Sequence, residues 1–193
     1  MNRRQFLSVA AIGSAGLVLP QIAEAQPLQH LQPTSIKCLG AGGGTVWLDG
    51  RTGDGSVGLA PKGGPSFSGT RWKPFRIKDN IWVFQCLGTV KGARILDGRT
   101  QNGTVGLAPR TDGPFTGTKW EVLPSDSRTP DIVTIRCLGT AEGSRFLSGD
   151  TKRGVVGLVA ATGKGAAFAG TRWLVGPMPG KFDDGTNLVP ADN

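Results

Sequence analysis

Apolar and polar residues alternate in short segments: Ile36 and Cys38 flank Lys37, Phe84 and Cys86 flank Gln85, and Ile135 and Cys137 flank Arg136. Val57 and Leu59, Val105 and Leu107, and Val156 and Leu158 keep the same period of two. That period places alternate side chains on one face of a strand. Gly-rich turns such as Gly53-Asp54-Gly55 and Gln101-Asn102-Gly103 separate the segments, supplying the positive φ that tight turns require. No stretch carries a helical period, so the expected elements are short strands joined by turns.

The strands belong to a unit repeated three times. Each copy runs Cys-Leu-Gly, a Leu-x-Gly turn, a Val-Gly-Leu strand and a closing Phe-x-Gly-Thr-x-Trp. Copy one has Cys38, Leu48-Asp49-Gly50-Arg51-Thr52, Val57-Gly58-Leu59 and Phe67-Ser68-Gly69-Thr70-Arg71-Trp72. Copy two follows with Cys86, Leu96-Asp97-Gly98-Arg99-Thr100, Val105-Gly106-Leu107 and Phe115-Thr116-Gly117-Thr118-Lys119-Trp120. Copy three drifts to Cys137, Leu147-Ser148-Gly149-Asp150-Thr151, Val156-Gly157-Leu158 and Phe168-Ala169-Gly170-Thr171-Arg172-Trp173. One four-stranded unit cannot bury its own Ile, Val, Phe and Trp side chains, and propellers close with at least about four blades. The expectation is an all-β fold of the β-trefoil kind: three pseudo-equivalent four-stranded repeats forming a six-stranded barrel with a hairpin cap. It would span 34–175, with repeats at 34–75, 82–123 and 133–175, linkers near Arg76–Asn80 and Pro124–Asp131, and a polar tail over 176–193.

The Leu-Asp-Gly, Gly-x-Val-x-Leu and Thr-x-Trp signatures together resemble the ricin B-type lectins. That resemblance implies that Asp49 and Asp97 bind sugar hydroxyls and that Trp72, Trp120 and Trp173 pack in the core. The chain departs from that pattern where an aromatic platform should stand, with Ala60, Ala108 and Val159. Thr70, Thr118 and Thr171 replace the Gln of the closing motif, and Ser148 replaces the third Asp.

The first residues add an address. Arg3-Arg4-Gln5-Phe6-Leu7, an apolar stretch to Leu19 and an Ala23-Glu24-Ala25 exit fit a cleaved signal peptide of the twin-arginine type over 1–25. The apolar run is too short to span a bilayer, so the mature chain is expected to lack a transmembrane segment and to be periplasmic or secreted. The full sequence has 22 Lys and Arg against 14 Asp and Glu, a net charge of +8, which favours anionic partners and serves solubility equally well.

Cys38, Cys86 and Cys137 occupy one repeated core position, where three equivalent thiols cannot all pair; they are read as small buried hydrophobes. Trp47 and Trp82 stand where the other copies have Ile95 and Phe146, and Thr34 and Val133; these equivalents are mostly apolar, so both tryptophans are expected in the core. Catalysis finds no support: the one histidine, His30, precedes the repeats, and no metal-ligand spacing is present. Neither a cofactor nor a nucleic-acid partner is expected.

Two sets of residues remain as candidate binders. Asp49 with Arg51 and Asp97 with Arg99 set an acid and a base two residues apart, on one face of an extended segment, where they can grip vicinal hydroxyls or simply stabilise a turn. Lys37, Gln85 and Arg136 before the cysteines, with Arg71, Lys119 and Arg172 before the closing tryptophans, would form an outward belt, basic except at Gln85. The expected function is non-catalytic recognition of a carbohydrate or other hydroxyl-rich or acidic polymer. The alternatives are a protein-binding trefoil such as a protease inhibitor, using a unique loop like Pro124–Asp131, or an envelope protein with no discrete ligand.

Overall fold

A computed structural model describes residues 28–40, 46–64, 66–163 and 166–178, with the side chains of 166–168 left aside. The expected signal peptide and most of the expected tail lie outside the described residues.

Twelve strands follow the alternating segments. They are β1 (Thr34–Cys38), β2 (Trp47–Arg51), β3 (Ser56–Ala60), β4 (Trp72–Lys78), β5 (Ile81–Cys86) and β6 (Ile95–Arg99), then β7 (Thr104–Ala108), β8 (Trp120–Pro124), β9 (Ile132–Cys137), β10 (Phe146–Asp150), β11 (Val155–Val159) and β12 (Trp173–Pro177). A short 3-10 turn precedes the last strand of each copy, at Ser68–Thr70, Thr116–Thr118 and Ala166–Thr171. Asp49 and Asp97 both face glycines across their hairpins, Gly58 and Gly106. Gly55, Gly103 and Gly154 take positive φ at equivalent turns.

All the ladders are antiparallel and join into one sheet. A closed hydrogen-bonded circuit runs β11, β3, β2, β1, β12, β9, β8, β5, β6, β7 and back to β11, with β4 and β10 outside it. The expected β-trefoil, a six-stranded barrel with a hairpin cap, is corrected accordingly: this is a closed ten-stranded antiparallel barrel with two outer strands. The finding behind the correction is that the hairpin strands β2, β3, β6 and β7 are themselves bonded into the circuit, and the likeness to ricin B-type lectins falls with the expected architecture. The physical reason is that alternation fixes which side chains point inward but not which strand edges zip together. Closure here rests on bridges such as Lys37 to Trp47, Gln85 to Ile95 and Thr104 to Gly157, which leave no mark in the hydrophobic pattern.

The core is nonetheless built in triplicate. Trp72, Trp120 and Trp173 are fully buried, and each indole N–H donates at 3.0 Å to the carbonyl of Leu48, Leu96 or Leu147 in its own copy. Such a bond lets a large aromatic surface be buried without stranding its polar atom. Each cysteine thiol links two copies: Cys86 donates to the Gly50 and Gly69 carbonyls, Cys137 to Gly98 and Gly117, and Cys38 to Gly149 and Gly170. A methyl at Gly50, Gly98 or Gly149 would press on a cysteine sulfur at 2.8 Å, so thiol and glycine form a matched pair. Trp82 is buried in the same core, while Trp47 is half-buried with its ring against Gly63.

Candidate functional site

Where copy one meets copy two, the β2–β3 hairpin, the 3-10 turn Ser68–Thr70 and the loop after β5 enclose an open cleft of about 420 Å³. Asp49, Arg51, Asp54 and Ser68 line it from copy one, and Thr89 and Val90 from copy two. The far lip is fixed from beneath. Thr52, buried, donates its hydroxyl to the Val90 carbonyl at 2.7 Å, and Arg94 spans the lip with bonds to the Cys86 and Val90 carbonyls. Gly92 lies so close to the Thr52 carbonyl that a side chain there would overlap it.

Asp49 and Arg51 therefore do meet in one cleft. Their side chains are 21% and 58% exposed, with Nε and Oδ2 3.8 Å apart. Loss of water around Asp49 pushes its carboxyl above the ordinary value, and the Arg51 charge only partly counters it. Asp54 is committed to its own turn: one carboxylate oxygen accepts both the amide and the hydroxyl of Ser56. Those bonds hold its pKa below the ordinary value. On the opposite side the Ser68 hydroxyl accepts the Thr89 amide at 3.3 Å, leaving the Ser68 proton able to donate into the cleft.

Copy two repeats the parts and buries its acid more deeply. Asp97 and Arg99 stand 4.0 Å apart with side chains 9% and 64% exposed. Desolvation raises the Asp97 carboxyl, against the Arg99 charge and a bond from the Gly117 amide. Thr140 and Thr116 join hydroxyls across the gap at 3.3 Å. Beneath them Thr100 donates to the Ala141 carbonyl, and Arg145 clamps the Cys137, Gly139 and Ala141 carbonyls. In copy three Ser148 stands at the position of Asp49 and Asp150 at that of Arg51, and the Asp150 carboxylate pairs with Arg153 at 2.6 Å.

The expected outward belt does not form a continuous free surface. Lys37 lies over the Trp47 ring, and Arg136 pairs with Glu121 at 3.2 Å. Arg71 and Arg172 are half-buried and Lys119 is exposed, while Gln85 is fully buried instead of facing solvent. Gln85 lies opposite Ile95 and Lys73 on the side where Phe75, Val83, Ile95 and Ala108 form a second apolar cluster. In the Pro124–Asp131 loop, Asp126 accepts the Arg128 amide and Ser125 bonds back to Ile132.

The three thiols are buried and unbridged. Burial pushes all three up, Cys86 to about 11, so the reactive thiolate is disfavoured at neutral pH. Among the described residues no group of three or more His, Cys, Asp or Glu side chains could hold a metal ion, and no helix is long and apolar enough to cross a membrane.

Residues missed in the sequence reading are the lip clamps Arg94 and Arg145 and the buried hydroxyls Thr52 and Thr100. Their signal was present: Gly88-Thr89-x-x-Gly92-x-Arg94 recurs as Gly139-Thr140-x-x-Gly143-x-Arg145. No protein-family model and no curated protein matches the chain, so its function must be argued from the cleft itself.

Proposed function

We propose that this chain is an exported, non-catalytic binding protein that recognises a hydroxyl-rich polymer, a glycan, through the cleft between its first two copies. The observation that carries the reading is a half-buried Asp49 carboxylate beside an exposed Arg51 guanidinium in an open polar groove. A carboxylate accepts hydrogen bonds from neighbouring hydroxyls and a guanidinium donates to their oxygens, so the pair suits a vicinal diol. Export rests on the 1–25 sequence.

Copy two contributes structure in this reading, because its acid sits deeper, with 9% of the Asp97 side chain exposed against 21% for Asp49. A glycan array probed with the mature protein, with Asp49→Asn and with Asp97→Asn tests the assignment. Asp49→Asn is expected to lower retention about tenfold or more, the scale of a lost charged hydrogen bond, while Asp97→Asn stays within about twofold. Undiminished binding by a folded Asp49→Asn variant removes the site.

A further inference from the structure

The first cleft differs from the second in the sign of charge on its far lip, and that difference points to the class of sugar. Lys91 stands between Val90, which lines the cleft, and Gly92, which touches the Thr52 carbonyl. Glu142 holds the same place in copy two, between Ala141 and Gly143, and Gly143 touches the Thr100 carbonyl. The two loops share their anchors, so the substitution reverses the lip charge without moving the backbone. Lys91 and Arg51 are both exposed; Arg51 lines the cleft, and Lys91 directly follows Val90, which lines it from the other side. The two acids that line the cleft are occupied: Asp54 by Ser56, and Asp49 paired loosely with Arg51.

We propose that the first cleft takes an acidic sugar, a uronate unit within a polysaccharide, with its carboxylate held between Arg51 and Lys91 and its ring hydroxyls met by Asp49 and Ser68. This rests on the glycan reading above and names the substrate class of the same cleft. A guanidinium that stays 58% exposed beside its own carboxylate can turn one edge to a second carboxylate, since its planar fork offers donors on more than one side. Asp49, at the floor, rejects a carboxylate there by like charge and accepts hydroxyls instead, which fixes the orientation of the sugar.

Isothermal titration with oligogalacturonate and with a neutral galactose oligomer of equal length decides the matter, using the mature protein, Lys91→Glu and Glu142→Lys. The expected result is binding of the uronate about tenfold tighter than the neutral oligomer at low salt, with the gap narrowing as ionic strength rises. Lys91→Glu should remove most of that preference, about three- to tenfold, and leave the neutral oligomer unaffected, while Glu142→Lys changes neither. Both variants alter exposed side chains, and unchanged thermal unfolding confirms that each is folded. Equal affinity for the two oligomers, or a preference untouched by Lys91→Glu, overturns the uronate assignment while the glycan reading stands. Failure of both oligomers to bind, together with a blank array, overturns both.

Discussion

The first and second inter-copy clefts are made from the same instructions and differ in how far they close. Each has a Leu-Asp-Gly-Arg-Thr strand on one side and a Gly-Thr-x-x-Gly-x-Arg loop on the other. In each, a buried threonine and an arginine hold the far lip by its carbonyls. Yet Asp49 keeps 21% of its side chain exposed and Asp97 only 9%. The difference lies in the depth of the acid, since both gaps are crossed by a 3.3 Å hydrogen bond, from the Thr89 amide to the Ser68 hydroxyl in the first and from Thr140 to Thr116 in the second. A repeated scaffold thus keeps its anchors in both clefts while burying one acid more deeply than the other.

The largest effect is expected where the two clefts are alike. Gly92 and Gly143 both press against a backbone carbonyl, of Thr52 and Thr100 respectively, and a methyl at either would overlap it. Gly143 also has a φ of 134°, where side chains are strained. Gly92→Ala and Gly143→Ala are each expected to cost about 2–4 kcal/mol in urea unfolding. If one of them proves neutral, the two lips are not built on the same anchor and the comparison breaks there.

A smaller effect should separate the clefts. Asp97→Ala empties a nearly buried position and is expected to cost about 1–3 kcal/mol, whereas Asp49→Ala, at a more exposed one, should cost less than about 1 kcal/mol. The neutral isostere sharpens this through pH. Folding raises the Asp97 carboxyl above its ordinary value, chiefly by desolvation, so the folded state favours its protonated form. The resulting stability is present below the ordinary carboxylate range and lost as pH rises through the raised value. Asp97→Asn keeps the shape of the side chain without the charge. It should therefore raise the urea midpoint at neutral pH, with the gain vanishing as pH falls below the carboxylate range. A gain that is constant with pH would show that desolvation is not the dominant cost.

Much of this molecule was legible in its residues, and the limits have physical causes. Strand positions followed from the period of two because Ile36, Cys38, Phe84, Cys86, Ile135 and Cys137 all turn inward and are buried. The inward tryptophans were legible for the same reason. Barrel closure was not, because it depends on edge pairings such as Val155 with Gly58 that any small or β-branched residue satisfies. Gln85 was misplaced because a strand's outer face was assumed to be wet, and a second cluster around Phe75 covers it. Asp49 and Asp97 are identical in local sequence, so nothing before the coordinates could rank them. What ranks them is the depth at which each side chain is buried in the folded chain, which local pattern does not encode.

The smallest effect asks whether the rim alone separates the clefts. Thr116→Ala removes an exposed hydroxyl contact of 3.3 Å, worth less than about 0.5 kcal/mol by its exposure. Glu142→Lys gives the second lip the charge of the first. If rim chemistry were the whole difference, the double variant would bind oligogalacturonate at two sites per chain. The expectation is that it stays at one, because Asp97 remains deep, with only 9% of its side chain exposed. Titration of the double variant reads this directly as stoichiometry. A value of two would move the distinction from the floor of the cleft to its lips, and would mean that Asp97 is as available to a sugar as Asp49.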